Sequence, residues 1–247
     1  MDPDTAPSDL AGVPDHADVP PIVAGLPGGE HARAVWLNGV GGLTFALPGR
    51  HAKWQRGSAV DLAEEAARLE WAGSYVQAPR VVSFAREGDE QLLVTETVPG
   101  VSAVLEPWRS RPADSARALG AGLRAFHDAL PVAECPWTWS TGERLARVAD
   151  PEARERLAAA DPGISRLVVC HGDACAPNTL LGSDGRASAH VDLGDLGVGE
   201  LWADLAVLAM SVTWNYGPGF EDEVYRGYGI DPDPARIAFY RALWNAE

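Results

Sequence analysis

The stretch Val168–Leu181, VVCHGDACAPNTLL, decides how the rest of the chain is read. A short apolar run ends abruptly in His171-Gly172-Asp173, and Asn178 follows five residues after the acid. A run of this length, bounded by glycine, reads as a strand. The strand therefore delivers a carboxylate and an amide into one loop. Fourteen residues beyond Asn178, Asp192 lies near the end of a second short strand, SAHVDL (188–193). A loop acid, a loop amide and a second acid at a strand end have a joint chemical use. Phosphoryl transfer asks little covalent chemistry of a protein. It needs a carboxylate to take the hydroxyl proton and hard oxygen ligands to hold magnesium on a triphosphate. Asp173 suits the first task, and Asn178 with Asp192 suits the second.

Composition is compatible with such a role and excludes others. The chain has 247 residues, 46% of them apolar, enough for one large domain or two lobes around a cleft. Its net charge of −15 disfavours a nucleic-acid partner, is compatible with a cationic small substrate, and by itself favours neither solubility nor binding as the explanation. No run approaches the roughly 20 apolar residues of a membrane span. The start, MDPDTAPSDLAGVPDHADVPP, lacks the basic and apolar segments of a signal peptide, so a cytoplasmic location is expected. The 3 cysteines, Cys135, Cys170 and Cys175, form no disulfide framework. Cys170, His171 and Cys175 lie close in sequence, but no second ligand pair with zinc spacing accompanies them.

The pattern changes along the chain. Residues 1–25, rich in Pro, Asp and Ala, read as a flexible arm. Residues 31–55 alternate apolar runs with the glycine cluster Asn38–Gly42, which predicts strand, turn, strand, and a further strand reaching Lys53. DLAEEAARLEWAG (61–73) predicts a helix: Asp61 can cap it, Glu64 has capping-box spacing, and Leu62, Ala66 and Leu69 share a face. Residues 80–100 read as two strands around the turn at 86–90. Beyond Val98-Pro99-Gly100 helices dominate, beginning with a long amphipathic one at 112–130, with others at 200–214 and 233–244. The expected fold is α+β and two-lobed: 26–97 an antiparallel sheet lobe with one helix, 98–247 a mainly helical lobe.

VVCHGDACAPNTLL and HVDLGDLGVGELWADLAV together resemble the catalytic and metal-binding segments of the aminoglycoside phosphotransferase family, closest to its 3′ (kanamycin kinase) branch. The Asp-x4-Asn spacing followed by Asp-x-Gly is the kinase pattern. The resemblance runs from about Val35 to the C-terminus and is strongest over 166–206. It implies a protein-kinase-like fold, ATP or GTP as co-substrate, Mg2+, and a cationic aminoglycoside acceptor, with the protein a monomer or homodimer. A kinase-like fold requires a glycine-rich turn over the phosphates, here Gly39, Gly41 and Gly42. It also requires a strand lysine and a helix glutamate. Glu65 falls on the apolar stripe of its helix, where a carboxylate is costly to bury without a cation, and Lys53 is the natural partner. The resemblance further implies that the Thr95 carbonyl and the Thr97 amide meet the base. His51 stands where relatives often carry an aromatic ring and is read equally as a stacking group or a surface histidine. Asp204 and His171 are implied to support the catalytic loop, whereas Trp214, Tyr216 and Glu247 are candidate acceptor contacts.

Some features depart from the family pattern. Gly41 replaces a common serine, Asp195 replaces a usual arginine near the metal and phosphates, the segment 131–166 is short, and Trp244-Asn245 replace an acidic pair near the C-terminus. Glu221, Asp222 and Glu223 are read as substitutes for that pair or as a solvated helix start. The alternatives to an aminoglycoside kinase are a kinase of another small hydroxylated molecule or antibiotic, and a nucleotide-binding protein without turnover.

Overall fold

The computed structural model describes residues 17–247. Most of the expected arm lies outside the described residues. Within its described end, Pro21–Ala24 (α1) forms a helical turn whose Val23 is fully buried. The described residues divide into two compact units, 17–74 with 78–98, and 75–77 with 99–247. Among them, no helix is long and apolar enough to cross a membrane.

The first unit is an antiparallel sheet with one long helix. Its strands are β1 (Arg33–Leu37), β2 (Leu43–Leu47), β3 (Arg50–Arg56), β4 (Val81–Glu87) and β5 (Glu90–Glu96), in the order β1-β2-β3-β5-β4. Alternation along a strand sends successive side chains to opposite faces. Phe45, Leu47, Ala52, Leu92 and Val94 thus pack together against Val23. The residues in between, Lys53 and its register partner Leu93, face the other way. Helix α2 (Leu62–Ala72) begins at Asp61, whose carboxylate accepts the Ala63 amide. Glu64 pairs with Arg68 at 3.1 Å.

The second unit is mainly helical: α3 (Pro112–Ala129), α4 (Thr141–Arg147), α5 (Pro151–Ala160), α6 (Trp202–Tyr216), α7 (Glu221–Tyr228) and α8 (Pro234–Trp244). Two small sheets interrupt the helices. One pairs β6 (Val101–Ser102), β8 (Thr179–Leu181) and β9 (Ala187–His190). The other pairs β7 (Leu167–Cys170) with β10 (Gly197–Glu200). Every residue of α6 from Trp202 to Val212 is buried, so this helix is the axis on which the unit packs. Helix α3 buries the stripe Ala116, Leu119, Leu123, Phe126 and His127. It meets α7 at a pair of glycines: a Cβ on Gly120 would collide with the Val224 carbonyl, and one on Gly227 with the Arg117 carbonyl. This backbone-to-backbone crossing brings the end of α7 against the end of α3.

Candidate active site

In the first unit, β3 aims Lys53 at α2. Its Nζ lies 2.7 and 2.8 Å from the two oxygens of Glu65, whose side chain is only 4% exposed. The carboxylate on the apolar stripe therefore meets its cation, as the cost of an unpaired buried charge requires. In the glycine turn, the Asn38 side-chain oxygen accepts the amides of Val40 and Gly42, and its carbonyl accepts that of Gly41. The expected phosphate donors Gly41 and Gly42 are thus engaged inside the turn, and phosphate contact through them requires these bonds to open. A similar correction applies to Thr97. Its amide donates to the Gly49 carbonyl at 3.0 Å, so it is not a free donor for a base. Thr95 stands opposite His51 in the β3–β5 register. The His51 Nδ1 lies 3.3 Å from the Thr97 hydroxyl, and burial pushes its pKa down, towards a neutral ring.

In the second unit, β7 runs directly into His171 and the loop. The Asp204 carboxylate accepts the backbone amides of His171 at 2.6 Å and Gly172 at 3.0 Å. His171 Nε2 donates to the Val191 carbonyl at 3.0 Å, which leaves Nδ1 as the acceptor facing the Asp173 amide. Gly172 has φ 90°, and a Cβ there would strike the backbone of Asp195. Only glycine permits this approach.

Asp173 and Asn178 form one hydrogen-bonded unit. Asn178 Nδ2 donates to the Asp173 carbonyl and to its Oδ2, each at 3.0 Å. Both amide hydrogens are then used, and Asn178 has its side-chain oxygen to offer. The Cys175 thiol also meets the Asp173 carboxylate, whose Oδ1 is buried with no hydrogen-bond partner of its own. Burial, and then the charge of Asp192, push the Asp173 carboxyl up from its ordinary value. This favours proton acceptance. Asp192 follows β9 in a left-handed conformation, φ 63°, the only non-glycine with positive φ among the described residues. The Val191 amide donates to the Asn178 carbonyl at 2.9 Å, which ties the two segments together. No cluster of three or more His, Cys, Asp or Glu suited to a metal occurs among the described residues. The donor set that does occur, a carboxylate of Asp192 and the amide oxygen of Asn178 beside the unpartnered Asp173 Oδ1, is made of hard oxygens and fits magnesium.

Neighbouring residues bear on several sequence expectations. The Asp195 carboxylate does not stand alone: Arg147 Nη1 lies 3.5 Å from it, with its guanidinium 4.3 Å above the Trp139 ring. Burial holds the Cys170 and Cys175 thiols well above their ordinary pKa, so both remain protonated. Among the candidate acceptor contacts, Glu247 is a correction: its carboxylate accepts from Arg144 Nε at 2.7 Å, and Arg144 is completely buried. The Tyr216 hydroxyl donates to the Ala103 carbonyl at 2.6 Å, and burial raises its pKa to about 12. That hydroxyl is therefore committed to the fold. Trp214 is half-buried with an indole N–H that has no partner. Glu221 is taken by Arg241 and Thr213, and Glu223 by Arg117 and Arg226.

Sequence reasoning missed His127 and Tyr228. His127 Nε2 lies 3.0 Å from Asp204 Oδ2, and its Nδ1 lies 2.8 Å from the Tyr228 hydroxyl. The available signal was a histidine on the apolar stripe of α3, four residues after Leu123.

The profile of the phosphotransferase enzyme family matches residues 22–240. The chain is 32% identical over 220 residues to an aminoglycoside 3′-phosphotransferase of Streptomyces fradiae, covering 75% of this chain and 80% of that one. It is similar in structure to a type VIII aminoglycoside-3′-phosphotransferase, with TM-score 0.73, 28% identity, and coverage of 90% and 95%. It also resembles APH(3″)-Id of Streptomyces rimosus, with TM-score 0.71, 28% identity, and coverage of 86% and 91%. The complex of that enzyme with ADP and streptomycin aligns with TM-score 0.65 at 28% identity, over 81% and 88%. The expected two-lobed, kinase-like α+β fold is the fold of these neighbours. With its sequence, its fold and its loop chemistry in agreement, the chain belongs to the phosphotransferase enzyme family.

Proposed function

We propose that the chain transfers the γ-phosphate of a nucleoside triphosphate to a hydroxyl group of an aminoglycoside. The observation that carries this reading is Asp173: a buried carboxylate with one oxygen held by Asn178 and the other, Oδ1, without a partner. In this reading the acceptor hydroxyl gives its proton to Oδ1 while its oxygen attacks the γ-phosphorus, and the nucleoside diphosphate leaves. Lys53, oriented by Glu65, steadies the α- and β-phosphates. Asn178 and Asp192 would hold magnesium, which neutralises the triphosphate charge when bound. The ADP complex of the Streptomyces rimosus relative favours ATP, with GTP the alternative. A triphosphate co-substrate would place the reaction in the cytoplasm.

A second reading concerns the hydroxyl. The 3′-phosphotransferase of type VIII and the streptomycin-bound relative are both 28% identical to the chain, so a 3″ hydroxyl of a streptomycin-like acceptor competes with the 3′ position. A nucleotide-binding protein without turnover is disfavoured by the formed Lys53–Glu65 pair and the assembled Asp173–Asn178 unit.

The test is nucleotide consumption with magnesium and ATP, then GTP, against neomycin, kanamycin and streptomycin, with Asp173→Ala as control. Acceptor-dependent turnover abolished in the variant supports the reading, and the preferred acceptor assigns the hydroxyl class. Absence of turnover with every acceptor overturns it.

A further inference from the structure

We propose that His127 and Tyr228 are positioning residues for this reaction: Tyr228 holds His127, and His127 holds the carboxylate from which the loop bearing Asp173 is suspended. The inference rests on the reading of Asp173 as the proton acceptor.

The chain of contacts is continuous. The Tyr228 hydroxyl, at the end of α7, lies 2.8 Å from His127 Nδ1 on α3. His127 Nε2 lies 3.0 Å from Asp204 Oδ2 on α6. The same Oδ2 accepts the His171 amide at 2.6 Å, and Oδ1 accepts the Gly172 amide at 3.0 Å. Asp173 is the next residue. Tyr228, His127 and Asp204 are 2%, 3% and 1% exposed, so these bonds are shielded from bulk solvent.

The proton positions follow from the chemistry of the groups. An ionised carboxylate only accepts, so His127 Nε2 donates to Asp204, and His127 Nδ1 and the tyrosine hydroxyl share the remaining hydrogen bond. Burial opposes the charge on Asp204, yet the hydrogen bond and charge of His127, with the charge and loop amide of His171, outweigh it and hold its pKa below the ordinary carboxylate value.

The arrangement does more than fill space. Oδ2 is shared between His127 and the loop, so the imidazole fixes the rotation of the carboxylate about its own bond. Without the imidazole, Asp204 keeps only the two loop amides and is free to turn with them. The loop then loses its reference to α3. Gly120 and Gly227 keep α3 and α7 in backbone contact, which holds Tyr228 within reach of His127.

The test compares Tyr228→Phe, His127→Leu, His127→Gln and Asp173→Ala in the full chain. Three readouts are taken: kcat and KM per folded molecule, amide hydrogen exchange of the 168–175 segment, and Tm. Tyr228→Phe removes one buried hydroxyl and keeps the ring, so it reports even if the leucine variant fails to fold. His127→Leu is expected to lower kcat about 30-fold with nucleotide KM within about twofold, the scale of losing a charge-assisted hydrogen bond. Tyr228→Phe is expected to lower kcat about fivefold. Glutamine can present an N–H near the Nε2 position and should recover kcat to within about threefold of wild type. Exchange in the 168–175 segment should rise about tenfold in the leucine and phenylalanine variants and stay unchanged in α2.

The proposal is overturned if Tm falls while kcat per folded molecule and segment exchange stay at wild-type values. It is also overturned if glutamine is as slow as leucine. A fully active Asp173→Ala would instead overturn the reading of Asp173, a result that the exchange data separate from a failure of the Tyr228–His127–Asp204 contacts.

Discussion

Lys53 and Glu65 are joined by both carboxylate oxygens, at 2.7 and 2.8 Å, across the gap between strand β3 and helix α2. The pair serves stability and nucleotide use differently, and the two can be separated. Lys53→Met removes the cation that both oxygens of the buried Glu65 carboxylate meet. Because Lys53 is 21% exposed, the loss should be about 2 kcal/mol, below the about 3–5 kcal/mol of fully buried pairs. Lys53→Met/Glu65→Leu should recover most of that stability and none of the activity. Chemical denaturation and steady-state kinetics check this, and a double variant as unstable as the single one would count against it.

Arg147 and Asp195 form a half-exposed pair beside the loop, worth little to stability. Their charges should matter more for the triphosphate. Arg147→Ala is expected to raise nucleotide KM about threefold and Asp195→Asn to lower it by a similar factor, with the double variant near wild type. Nucleotide KM measured at low and high salt tests this, since screening should shrink both effects. Equal KM values in all variants at low salt would refute it.

Gly172 has no tolerance for a side chain. Gly172→Ala combines a left-handed backbone with a collision against Asp195, and a loss of about 3 kcal/mol or more is expected, together with activity. Thermal unfolding reads the cost directly. Wild-type stability in this variant would mean that the loop does not approach Asp195 as described.

Asp204 makes stability depend on acid. Its folded pKa lies below the ordinary 3.8, so the charged carboxylate stabilises the fold above that value. The contribution is lost as pH falls through the folded pKa. The stability gap between wild type and Asp204→Asn should therefore be full at pH 7 and shrink below about pH 4. Denaturation curves between pH 7 and 3 measure it, and a constant gap would contradict the assignment.

Glu247 is expected to act on stability and leave the acceptor alone. Glu247→Gln weakens the hold on the fully buried Arg144, whose Nη1 and Nη2 have no hydrogen-bond partner, and should cost about 2 kcal/mol. Acceptor KM should stay within about twofold, the scatter of a residue that does not touch substrate. A tenfold change in acceptor KM with unchanged Tm would restore a substrate role.

Local chemistry makes much of this legible in the sequence. The Asp-x4-Asn spacing announces itself because both residues sit in one short loop, and Glu65 betrays its partner by standing on an apolar stripe. The misreadings share a different cause. Thr97, Gly41 and Gly42 looked like free donors, yet their amides are taken by Gly49 and Asn38, neighbours that a motif does not display. Tyr216 reads as a ring that could floor a sugar and Glu247 as the acid left where relatives carry an acidic pair, and their polar atoms prove to be bound within the fold. Their partners are Ala103, 113 residues away, and Arg144, 103 residues away.

The sequence by itself determined the kind of chemistry and the strand-rich and helix-rich halves, and it singled out Lys53, Glu65, Asp173, Asn178 and Asp192 as the candidates for that chemistry. Periodicity and short spacings carry that information, because a loop or a helix face is set by residues a few positions apart. Only the tertiary structure decided which polar groups are committed elsewhere, and that His127 and Tyr228 stand behind Asp204. Those contacts join α3, α6 and α7 across 77 and 101 residues of chain. Hydrogen bonds of that separation depend on how whole helices pack, here through the contact of Gly120 and Gly227, and no local pattern encodes them.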